Sequence, residues 1–145
     1  MEIKELGHIV LYVSNLNILS NFYKNILGFK KISHHNRFAI FSSGRTHHEL
    51  LLIEIGIPSN TKLLEPGLYH IGFKIGDSIV ELKEAYESLR KNNVAITGMA
   101  DHYVSKSIYI ADPDGNELEL YIDTNVDWKN NPELIATPAK PLSLD

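Results

Sequence analysis

Cysteine is absent from this chain of 145 residues, which removes disulfides, thiol nucleophiles and thiolate metal sites together. That absence is silent about compartment, since a chain without thiols is stable in either redox setting. Basic runs are missing too, and the formal net charge is -4, so nothing favours nucleic acid or anionic membrane surfaces as partners. Arginine is confined to Arg37, Arg45 and Arg90. No apolar stretch approaches the roughly 20 residues that span a bilayer. The opening MEIKELGHIVLYV lacks the apolar core and small-residue cleavage site of a signal peptide. The expectation is a cytoplasmic protein with neither a nucleic-acid nor a membrane partner.

What the chain does have is histidine, seven in all, and an internal repeat. Gly7-His8-Ile9-Val10-Leu11-Tyr12-Val13 reads as a strand, rich in β-branched and aromatic residues. Residues 16–27 carry apolar side chains at Leu19, Phe22, Tyr23, Ile26 and Leu27, the spacing of one helix face, and Gly28 stands where a left-handed cap belongs. Extended runs follow at 29–33, 37–42 and 47–55, the last two separated by Ser43-Gly44-Arg45. The second half repeats this order. Tyr69-His70-Ile71-Gly72-Phe73-Lys74-Ile75 is a strand, Ser78 and Glu81 form a capping box, and Leu82, Ala85, Tyr86 and Leu89 make a helical stripe. Extended runs at 94–97, 105–111 and 116–122 follow, with Asp112-Pro113-Asp114-Gly115 turning between the last two. His8 and His70 hold the same place in their strands, 62 positions apart. The pattern predicts an α+β fold of tandem βαβββ modules, about 5–56 and 67–123 within a domain of 1–124, whose curved sheets form a metal-lined cavity. Residues 56–67 form a linker, and 125–145 a tail packed on the outside.

Strand alternation then selects candidate ligands. Ile9, Leu11 and Val13 form a uniformly aliphatic face that packs on the helix, which sends His8 the other way. Ile71, Phe73 and Ile75 do the same for His70. Leu118, Leu120 and Ile122 are buried, leaving Glu117, Glu119 and Tyr121 on the cavity face. Two neutral imidazoles, His8 and His70, with the Glu119 carboxylate suit Fe(II), Mn(II), Ni(II) or Zn(II) with open positions left over.

The segments GHIVLYVSNLNILSNFYKNILGF, GLYHIGFKI and DPDGNELELY resemble the vicinal oxygen chelate superfamily, which includes glyoxalase I, fosfomycin- and bleomycin-resistance proteins and extradiol ring-cleaving dioxygenases. The resemblance covers most of residues 5–123, and the tail Trp128…Thr137…Pro141-Leu142-Ser143-Leu144 is similar to that of small catechol 2,3-dioxygenase-like members. It implies a metal at His8, His70 and Glu119, the last standing four residues after Gly115. It further implies that His48, in the pair His47-His48 opening a strand, is the acid–base residue near bound oxygen. Asp101-His102-Tyr103-Val104-Ser105 resembles the HGVS segment whose histidine contacts substrate, with Tyr103 in place of the usual glycine. Tyr109 matches a tyrosine that hydrogen-bonds a substrate oxygen.

The implied activity is extradiol cleavage of a catechol-like small molecule by dioxygen, with Fe(II) as the leading metal, in a homodimer. A glyoxalase-I-like isomerase or lyase, or a non-catalytic resistance-type binding protein, stands as the alternative. The isomerase needs a fourth ligand from Glu54 or Glu49. Alternation puts His48, Leu50, Leu52 and Glu54 on one face and Glu49, Leu51 and Ile53 on the other, so His48 and Glu49 cannot both face the ion. His48 inward is favoured; whether Glu54 reaches the ion stays open. His34 and His35 receive no role.

Overall fold

A computed structural model describes residues 4–57 and 68–145; most of the 56–67 linker lies outside the described residues. The chain divides into two compact units, Met1–Leu64 with Pro113–Gly115, and Glu65–Asp112 with Asn116–Asp145. Each unit has the order strand, helix, three strands. Two mixed sheets with few helices make this the α+β fold that the repeat predicts.

In the first unit, β1 (Ile9–Val13) is followed by α1 (Leu16–Asn21), β2 (Lys30–His35), β3 (Phe38–Ser42) and β4 (Leu50–Glu54). The sheet order is β1-β4-β3-β2, with β1 parallel to β4 and the other pairs antiparallel. Leu11, Val13, Leu50 and Leu52 are buried with Leu16, Leu19, Phe22 and Tyr23 from the helical segment, while Val10 and Tyr12 on the opposite face are exposed. The helix predicted over 16–27 is α-helical only to Asn21. Phe22–Ile26 continue as a wider π turn, with the Leu27 N–H reaching the Phe22 carbonyl at 3.2 Å. The widening keeps adjacent Phe22 and Tyr23 both buried but leaves Ile26 and Leu27 only partly covered. Gly28 ends the segment at φ +75, the conformation that its place in the sequence predicts.

In the second unit, β5 (His70–Gly76), α2 (Ile79–Lys91), β6 (Ile96–Asp101), β7 (Ser105–Ala111) and β8 (Glu117–Asp123) precede a short β9 (Lys140–Pro141). The sheet order is β5-β8-β7-β6-β9, with β5 parallel to β8. Leu118, Leu120 and Ile122 alternate with the part-exposed Glu117, Glu119 and Tyr121, so β8 shows one face to Leu82, Tyr86 and Leu89 of α2 and one face away from it. The tail belongs to this unit. β9 pairs with β6, Leu144 is buried, and the Tyr86 hydroxyl donates to Asp145.

The N-terminus of α2 carries the predicted capping box. Ser78 accepts from the Glu81 N–H, and the Glu81 carboxylate accepts from the backbone N–H groups of Asp77 and Ser78. Gly76 leaves room beside it, because an added Cβ would fall onto that carboxylate and push it aside. Ser78→Ala is expected to cost about 1 kcal/mol in urea unfolding, the usual worth of such a cap. Gly76→Ala displaces Glu81 from the same cap, so the double variant should lose less than the two single losses added together.

Candidate functional site

The second sheet gathers polar side chains on the face turned away from α2. Register places Tyr109 of β7 opposite Glu119 of β8, Gly72 of β5 on the other side of Glu119, and His70 opposite Glu117. One Glu119 oxygen, Oε1, accepts from the Ser107 hydroxyl at 2.6 Å and from the Tyr109 hydroxyl at 3.2 Å. The other, Oε2, faces His70 Nε2 at 3.3 Å. Gly72 keeps the space over that oxygen open, since a Cβ there would lie 3.6 Å from it. His102 Nε2 meets the Tyr109 hydroxyl at 2.8 Å, so His102, Tyr109, Glu119 and His70 form one connected chain.

Burial and the Glu119 charge push the Tyr109 phenol up to about 12, so it is a neutral hydroxyl at physiological pH. His102 owes its position to an unusual turn. Tyr103, which stands where the resembling motif has glycine, adopts φ +70, a left-handed conformation that costs an L residue roughly 1–2 kcal/mol. Asp101 accepts from the Tyr103 N–H at 2.8 Å, and Thr124 donates to the Tyr103 carbonyl at 3.0 Å, which holds the turn closed. The Lys106 ammonium bonded to Asp101 keeps that carboxyl below its usual range.

His8 and His48 lie in the first unit, where their rings are tilted by 34° with centroids 4.4 Å apart. Desolvation together with the neighbouring His8 and His47 imidazoles lowers the pKa of His48, favouring its neutral form. The strand expected to open at His47-His48 begins only at Leu50. The face assignment there is also corrected. Leu50 and Leu52 are 1% and 0% exposed and belong to the core, so the set of His48, Leu50, Leu52 and Glu54 does not line an open face. Glu54 instead accepts the Leu16 N–H at 2.7 Å, at the start of α1. Glu49 turns to the β3–β4 loop, where both its oxygens accept from Ser43, at 2.8 and 2.9 Å. Burial alone would raise the Glu49 carboxyl, but the Ser43 hydrogen bonds outweigh it and hold the pKa low.

Among the described residues, no group of three or more His, Asp or Glu side chains is gathered closely enough to hold a metal ion. The pair of His70 and Glu119 nevertheless fits one. Donor atoms each about 2.1 Å from an ion, at tetrahedral to octahedral angles, lie roughly 3.0–3.4 Å apart, and His70 Nε2 and Glu119 Oε2 are separated by 3.3 Å. With Oε1 engaged by two hydroxyls, Oε2 is the oxygen left for a cation, an outer-shell orientation common in metal sites. Ser107 is the participant that sequence reasoning missed. Its signal was available in the spacing Ser107-Ile108-Tyr109, which places two hydroxyls on one face of β7.

The raised phenol has a consequence for stability. Folded Tyr109 holds its proton to about 12, while an unfolded tyrosine releases it near its ordinary pKa of about 10. The contribution is therefore constant below about pH 10 and is lost as pH rises toward 12. Metal-free wild-type protein should lose stability more steeply than Tyr109→Phe across that window, as read by urea unfolding at each pH.

Residues 5–120 match the family described as the Glyoxalase/Bleomycin resistance protein/Dioxygenase superfamily. The chain is 35% identical to catechol-2,3-dioxygenase of Bacillus subtilis over 121 residues, 81% of this chain and 41% of that protein. It is also 35% identical to metallothiol transferase FosB of Staphylococcus saprophyticus over 124 residues, 84% of this chain and 79% of that one. The dioxygenases it matches are longer, and the chain spans 41% to 63% of their lengths. Among solved structures, the fosfomycin resistance protein FosX from Listeria monocytogenes superposes with a TM-score of 0.65 at 26% identity, covering 85% of this chain and 96% of that one. A repeated βαβββ architecture, a histidine–glutamate pair on the second sheet and a family match over most of the chain converge: the protein belongs to the glyoxalase/bleomycin resistance/dioxygenase superfamily.

Proposed function

We propose that this chain is a metal-dependent extradiol dioxygenase acting on a catechol-like small molecule. The observation that carries this reading is the continuous chain from His102 through the neutral Tyr109 hydroxyl to the Glu119–His70 pair. It sets a hydrogen-bond donor and an imidazole beside the two atoms best disposed to hold an ion. His70 Nε2 and Glu119 Oε2 would hold the metal, with His8, the counterpart of His70 in the repeat, as third ligand. Fe(II), the leading metal, supplies Lewis acidity toward adjacent ring oxygens and an open position for dioxygen when bound.

The protein's own groups do the rest. The Tyr109 hydroxyl, whose one proton is given to Glu119 Oε1 in the free protein, turns that proton to a substrate oxygen when substrate is bound, and His102 holds the hydroxyl from its other side and faces the same substrate. His48, with its lowered pKa, takes a proton from a catechol hydroxyl and returns it later. In the overall reaction the ring C–C bond beside the hydroxylated pair breaks, and each new end gains one atom of dioxygen. We also propose that the protein works as a cytoplasmic homodimer.

A second reading draws on the metallothiol transferase relative, of which the chain covers 79%: transfer of a thiol to a small electrophile at the same ion. The isomerase reading is weaker, because the Glu54 and Glu49 carboxylates that it needs as a fourth ligand are engaged by Leu16 and Ser43.

Anaerobic reconstitution with Fe(II) followed by catechols and oxygen tests the proposal. One mole of oxygen should be consumed per mole of ring opened. Tyr109→Phe should lower kcat by roughly 10²–10³-fold and His48→Gln by about 10²-fold or more. Thiol consumption with no oxygen uptake would favour the transferase reading instead.

A further inference from the structure

Two buried polar atoms of the second unit face each other without a hydrogen-bond partner. They are His70 Nδ1 and Glu117 Oε1, 3.6 Å apart. The pairing is built into the sheet, because His70 and Glu117 are register partners on the parallel strands β5 and β8. At 3.6 Å the hydrogen bond is not yet made, but a small rotation of either side chain closes it. Tyr69 steadies the carboxylate from outside. Its ring lies 4.7 Å from that of His70, and its hydroxyl is hydrogen-bonded to Glu117.

A neutral imidazole carries one N–H. Placed on Nε2, that proton would point at Glu119 Oε2 and occupy the direction that a cation needs. Placed on Nδ1, it points at Glu117 and leaves the Nε2 lone pair directed toward Glu119. We propose that Glu117 is a positioning residue that accepts the His70 Nδ1–H, selects the metal-ready tautomer and fixes the ring. Glu117 itself is no ligand, since its buried oxygen addresses the nitrogen on the far side of the ring from the ion. The proposal rests on the reading of His70 and Glu119 as ligands. It adds to them Glu117, which strand alternation places on the cavity face without a role.

The test uses the full-length chain, metal-free and then titrated with Zn(II) against a chromophoric chelator. In the metal-free wild type, ¹⁵N–¹H spectra should show His70 protonated at Nδ1, and Glu117→Leu should shift that tautomer balance. Glu117→Leu should weaken zinc binding by roughly 10–100-fold, the usual effect of removing such a partner. Glu117→Gln, which keeps an acceptor oxygen without the charge, should fall between the two. Wild-type His70 protonated at Nε2, or Glu117→Leu binding zinc as tightly as wild type, overturns the proposal while leaving the ligand pair standing. A wild type that binds no zinc removes the ligand reading and this proposal together. Should Glu117→Leu not fold, the wild-type tautomer and the Glu117→Gln affinity decide.

Discussion

The Glu119 carboxylate organises the second unit's polar face, because its two oxygens are made unequal. Oε1 is engaged by the Ser107 and Tyr109 hydroxyls, and this leaves Oε2 as the oxygen directed at His70. A carboxylate with both oxygens free could rotate and would lose that freedom on binding a cation. Here the sheet register has restricted it already, with β7 supplying donors on one side and Gly72 of β5 leaving space on the other. Such pre-organisation is what separates a site from a chance meeting of ligating residues.

The same face shows where local stability is set against function. Tyr103 occupies a left-handed conformation that a glycine would adopt freely, and two hydrogen bonds from Asp101 and Thr124 hold it there. The turn so formed delivers His102 to the Tyr109 hydroxyl. Half-buried Tyr109 in turn keeps its proton far above neutrality, so the hydroxyl is present at any physiological pH. In the first unit the His8 and His48 rings lie 4.4 Å apart, and desolvation with the neighbouring imidazoles pushes the pKa of His48 down.

Much of this was legible where apolar and polar residues alternate. In β8 the sequence Glu117-Leu118-Glu119-Leu120-Tyr121-Ile122 can satisfy burial in only one way, and the structure buries the leucines and the isoleucine. The capping box at Ser78 and Glu81 and the left-handed Gly28 were readable for the same reason, since few residue types tolerate those positions. In β4 the run Leu50-Leu51-Leu52-Ile53 is apolar throughout and carries no facial signal. Faces there can be counted only from His48, a residue that lies before the strand. Burial of Leu50 and Leu52 moves Glu54 to the α1 side, where it meets an otherwise unpaired N–H. The π turn at Phe22–Ile26 was hidden because aromatic and aliphatic residues sit on both sides of it, so one shifted hydrogen bond leaves the stripe intact on paper. Glu117 was visible as a face member and Ser107 was not singled out; the roles of both depend on cross-strand register, which a single sequence does not provide.

Anomalous diffraction from crystals grown with Mn(II) locates the ion against the Glu119 oxygens. A single strong peak is expected within about 2.3 Å of both His70 Nε2 and Glu119 Oε2, allowing for bonds slightly longer than those of zinc. A peak coordinated elsewhere, or one bound to Glu119 through the oxygen that Ser107 and Tyr109 engage, would contradict it.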